Sequence, residues 1–103
     1  MLIVYSQNGI AIRFTAERWQ HIIHRHPEVA EQRERVLETL VEPELIQQGD
    51  YGELLAIRYY SETPLTGKYL VVVYHEVDRK DGFILTAYFT TRPSSKRMIL
   101  WKR

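Results

Sequence analysis

Two short apolar runs, 2–5 and 10–14, flank Ser6-Gln7-Asn8-Gly9 at the start of the chain. Asn-Gly is the strongest short hairpin-turn signal, since both residues tolerate the positive φ that tight turns require. A β-hairpin is therefore predicted. Thr15 follows as a helix N-cap, and Glu17 places a carboxylate in the first turn, where the helix dipole favours it. Ala16, Trp19, Ile22 and Ile23 recur at i, i+3, i+6 and i+7, which is one helical face. His26 falls in the same register, whereas His21 and His24 point with Glu17 to the far side. Because Pro27 disfavours helical geometry at His26, the helix should end near Arg25.

A second helix is expected over 28–41, with Pro27 able to serve as its first residue and Val29, Val36, Leu37, Leu40 and Val41 as its apolar side. Pro43 stops it. The remainder alternates like strands, at 44–48, 54–60, 69–77, 83–90 and 98–101, with turns at Gly49-Asp50-Tyr51-Gly52 and Asp78-Arg79-Lys80-Asp81-Gly82. The run Leu70-Val71-Val72-Val73 suits a central strand buried on both faces. The pattern predicts an α+β fold: an N-terminal β-hairpin and two helices packed on an antiparallel β-sheet of about four strands.

Length and composition narrow the class of protein. A chain of 103 residues supports one core, and 1–103 is expected to be a single domain. With 45% hydrophobic and 26% charged residues, the sequence resembles an ordinary globular domain and not a disordered tail. No apolar run approaches the roughly 18 residues that span a bilayer. The N-terminus lacks a basic region followed by a long apolar stretch, so a cytoplasmic protein is expected. The absence of cysteine removes disulfides, thiolate metal sites and a Cys nucleophile. Net charge is only +1, yet Arg92, Lys96, Arg97, Lys102 and Arg103 crowd the last stretch with no acid among them. A local basic patch of this kind can hold phosphates.

Candidate chemistry concentrates at two places. His21, His24 and His26 are three of the four histidines, but their spacing lacks the i, i+4 pair of a zinc helix, so no metal site is expected. His26 combines a helix end, a core-facing register and a neighbouring Arg25. An imidazole exchanges protons near neutral pH, as RNA cleavage through the 2′-hydroxyl requires; the alternative is a structural histidine bonded to the start of the second helix. Over 83–90, strict alternation puts Phe83, Leu85, Ala87 and Phe89 on one face and Ile84, Thr86, Tyr88 and Thr90 on the other. Thr86, Tyr88 and Thr90, with Arg92, Lys96 and Arg97 beyond, offer hydroxyls to orient a phosphate and cations to neutralise it. They also suit an ordinary solvent-facing strand. Arg58 and the tyrosines around it add a surface on which bases could stack.

Taken together, Thr15, Arg18, Trp19, His21 and Ile22 at the first helix, the Arg25-His26-Pro27-Glu28 junction and the strand triplet Thr86-Ala87-Tyr88 resemble the phage- and mobile-element-associated branch of the barnase/EndoU/colicin/RelE-like nuclease superfamily. The resemblance implies a RelE/barnase-like fold and a metal-independent endoribonuclease without cofactor, often a toxin, acting on RNA and controlled by a cognate antitoxin or immunity protein. By position it implies His21, His26, Thr86, Tyr88 and Lys96 as catalytic residues. Arg25, Arg58, Thr90, Arg92 and Arg97 are the expected substrate-binding groups. Catalytic sets differ between branches of a superfamily, so a non-catalytic RNA- or protein-binding module of a mobile genetic element is the alternative.

Overall fold

In the computed structural model, which describes residues 1–103, the N-terminal hairpin pairs β1 (Leu2–Tyr5) with β2 (Ala11–Phe14). Its turn explains Gly9. The Gly9 N–H donates to Ser6 O (2.8 Å) and the Ser6 N–H to Ile10 O (3.0 Å), which leaves Gly9 at φ 78°. A Cβ would meet nothing within 4 Å there. Conformation, and not space, selects glycine.

Helix α1 (Ala16–Arg25) begins as expected, with Thr15 Oγ1 accepting the Arg18 N–H at 3.0 Å, and it ends at His26 ahead of Pro27. The second helix differs from expectation. Pro27–Val29 form one 3-10 turn, and α2 starts only at Arg33, running to Val41. Ala30-Glu31-Gln32 are good helix formers, so helix propensity alone does not account for the break. The 3-10 turn packs on one strand of the sheet while α2 packs on three others.

Five more strands follow: β3 (Leu45–Gln48), β4 (Leu54–Tyr60), β5 (Lys68–Glu76), β6 (Gly82–Thr90) and β7 (Ile99–Lys102). All seven join one sheet in the order β1-β2-β6-β5-β4-β3-β7. The expectation of an antiparallel sheet of about four strands is thereby corrected. The hairpin is part of the sheet, and β2 runs parallel to β6 through Ile12↔Gly82 and Arg13↔Phe83. Gly82 makes that junction possible, because a Cβ would collide with His75 O and with Ile12 Cδ1. Arg13 fastens it with two bonds to Asp81, Nε to Oδ1 at 2.7 Å and Nη2 to Oδ2 at 2.9 Å. Strand β5 lies at the middle of the sheet, with Val71 and Val72 both buried, as its uninterrupted apolar run predicts.

Each face has its own apolar cluster. On the helix-covered face Ile22, Val36 and Leu40 pack with Ile12, Phe14, Leu70, Val72, Tyr74 and Ala87. On the other, Leu55, Ile57 and Val71 gather Leu45, Tyr69, Val73 and Tyr88. A bulge decides which β6 residues face where. Thr86 pairs with Val73 and Ile84 with Tyr74, leaving Leu85 as the extra residue. Ile84 therefore sits in the helix-side core with Ala87, contrary to strict alternation, while Thr86, Tyr88 and Thr90 stay together on the opposite face.

Candidate functional site

Topology places the basic segment over that second face. Going from β6 to β7 crosses four strand spacings in the sheet order, about 19 Å. Residues 91–98 make the crossing as an irregular strap. Gln47 Nε2 donates to Ser94 O at 2.8 Å, tying the strap to β3. Beneath it lies a cavity of about 270 Å³ bordered by Leu55, Ile57, Tyr88, Thr90, Arg92 and Arg97, among others.

Arg97 is held in place. Its Nη1 donates to Asp50 Oδ1 at 3.0 Å and its Nη2 to Asp50 Oδ2 at 3.4 Å, with a further contact from Nη1 to Gln48 O at 3.4 Å. The Thr90 hydroxyl donates to Arg92 O at 3.1 Å, which fixes the start of the strap. Lys96 is exposed beside Arg97 in an adjoining depression with Asp50 and Met98. Lys102 lies in β7, paired with Leu45, so the basic tail is divided between the cavity rim and the sheet edge.

His26 reaches this region around an open strand edge. Only Gly82 and Phe83 of β6 pair with β2, so the rest of that edge is free of strands, and α1 and the 3-10 turn pack along β6. Arg18 Nη1 contacts the Leu85 carbonyl at the bulge, at 3.4 Å. At the end of α1 the His26 and Tyr88 rings meet, their centroids 5.8 Å apart. His26 Nδ1 is 3.7 Å from Glu28 Oε2, an ion-pair distance when the imidazole is protonated. Burial raises the Tyr88 pKa above the ordinary phenol value, and the nearby charge of Arg97 partly opposes it. At neutral pH the phenol is a donor.

Other expected site residues lie elsewhere. His21 lines a broad depression of about 780 Å³ with Thr15, Glu17, Arg18 and His24. Every lining residue of that hollow belongs to α1 or its cap, so nothing opposes His21 from a second element. Arg25 is exposed at the end of α1. Arg58 is on the helix-covered face, donating to Glu42 O at 2.7 Å, with Nε 3.8 Å from Glu38 Oε1. Thr86 shares the Tyr88 face, near the bulge. No three His, Asp or Glu side chains converge in a group that could hold a metal ion. Gln47 went unnoticed in the sequence; its one signal is a polar residue at an inward position beside Ile46.

No helix is long and apolar enough to cross a membrane. Comparison of the chain with protein-family models, curated proteins and solved structures returns no match.

Proposed function

We propose that the protein is a metal-independent endoribonuclease of the toxin kind, acting at the Tyr88 cavity. The observation that carries this reading is the contact of His26 with Tyr88, which itself lines a cavity whose rim holds Arg92 and Arg97. His26 takes the proton of a ribose 2′-hydroxyl as its oxygen attacks the adjacent phosphorus. The bond from phosphorus to the 5′-oxygen breaks, and Tyr88, held protonated, donates toward that leaving oxygen. Arg97, with Arg92, offsets the charge that grows on the phosphoryl oxygens. The products are a 2′,3′-cyclic phosphate and a free 5′-hydroxyl.

Under this reading RNA is the substrate and a cognate antitoxin or immunity protein is the controlling partner. Met98, Ile99 and Leu100, all exposed at the outer strand β7, offer that partner an apolar edge. A non-catalytic RNA-binding module is the second reading, favoured by the edge-on Tyr59–Tyr69 pair, centroids 5.1 Å apart, which gives stacking surface independent of His26. Incubating the protein and its His26→Ala form with total RNA in EDTA separates the two. Cleavage by the wild type alone supports the enzyme; RNA binding without cleavage by either supports the module.

A further inference from the structure

Gln47 is the most deeply buried polar side chain at the cavity, with 3% relative exposure. It stands in β3 where the pairing register with β7 shifts, between Ile46 and Gln47. Its neighbours on that face, Leu55 and Ile57, are apolar. The amide is used on one side only. Nε2 donates to Ser94 O, while Oε1 is buried and has no hydrogen-bond partner, in a residue that lines the cavity. Reversing the amide would press its oxygen against the Ser94 carbonyl, so the orientation is fixed with the acceptor left unpaired. A buried acceptor without a donor is costly, and a bound ligand or water that supplies the donor relieves that cost.

We infer that Gln47 is the specificity-determining residue of this cavity, and that its Oε1 accepts a hydrogen bond from the exocyclic amine of a nucleobase. The choice of a nucleotide as occupant rests on the ribonuclease reading; the choice of an amine rests on Gln47. An apolar floor of Leu55, Ile57 and Val71 suits the flat face of a base, and Arg92 and Arg97 at the rim suit its phosphate. A cavity of this volume lies at the small end of ligand sites, matching one nucleotide and not a larger group. A lone acceptor attracts the amine at C4 of cytosine or C6 of adenine. It repels the carbonyl oxygen that uracil or hypoxanthine carries at the same position.

The test uses the intact protein and two matched ligand pairs, 3′-cytidine against 3′-uridine monophosphate and 3′-adenosine against 3′-inosine monophosphate, with affinities read by titration calorimetry. The amine-bearing member of at least one pair should bind about tenfold tighter. Gln47→Met, close in length and without an acceptor, should abolish that difference while still binding nucleotide. Should Gln47→Met fail to fold, the wild-type preference alone decides. Equal affinity within both pairs, no binding of any of the four, or a preference that survives in Gln47→Met each overturns the inference. Cleavage is scored separately on RNA. Binding preference without cleavage keeps Gln47 and removes the ribonuclease; cleavage without preference does the reverse.

Discussion

The His26 imidazole and the Tyr88 phenol lie ring against ring, 5.8 Å between centroids, although one ends the first helix and the other belongs to β6, far along the chain. Neither group supports the core alone, since both are partly exposed. His26→Ala should lower RNA cleavage by about 10²–10⁴-fold, the usual range for a lost proton-transfer group. Tyr88→Phe keeps the ring and removes only the donor, so it should reduce cleavage with little change in melting temperature. Equal cleavage by both variants and the wild type would remove these residues from the mechanism.

Arg97 is gripped by Asp50 and faces the cavity, whereas Lys96 is free in solvent. Arg97→Ala should therefore weaken RNA binding more than Lys96→Ala. It should also lower the slope of log affinity against log salt by about one contact. Filter binding across a salt series reads both quantities.

The pairing with Arg13 holds the Asp81 carboxyl below the usual carboxylate range, through its hydrogen bonds first. Because the folded value is depressed, the contribution to stability is present above the ordinary carboxylate range and is lost as pH falls through the folded value. Asp81→Asn should thus lower stability at neutral pH and flatten its decline on acidification. Denaturant melts between neutral pH and about pH 3 measure this.

Tyr74 carries a buried hydroxyl with no partner, and burial pushes its pKa well above the ordinary phenol value. Tyr74→Phe removes the unmatched group and leaves the packing, so stability should be unchanged or higher by about 1 kcal/mol. Since the folded value is raised, the wild type should also lose stability as pH climbs above about 10, and Tyr74→Phe should lose less.

Gly82→Ala should destabilise by about 1–3 kcal/mol, because the added methyl has His75 O and the Ile12 side chain in its way. Unchanged stability in a thermal melt would mean that the hairpin shifts away without cost.

Local patterns in the sequence reached far into this fold. Thr15, the stop before Pro27, the turn at Gly9 and the buried middle strand all follow from neighbouring residues. The parallel pairing at Ile12 and Gly82 does not, because nothing near either residue announces a partner so distant in sequence. The extra residue at Leu85 was equally hidden: alternation predicts Ile84 on the Tyr88 face, and only pairing with β5 reveals the shift. At the candidate site, His26, Tyr88, Thr90, Arg92 and Arg97 stood out by residue type. Gln47 did not, since an amide in a short strand looks like surface until the strap covers it. Arg58 stood out among tyrosines, yet it serves the α2 side.

The strap gives the cavity a birth order. Arg92, Ser94 and Arg97 belong to the crossing into β7, and β7 reaches the sheet only by pairing with β3. While residues 91–102 are still inside a ribosome, the first six strands and both helices already have their sequence, but the face around Tyr88 has no roof and no fixed cation. Any activity that depends on that roof would appear only once β7 has paired with β3.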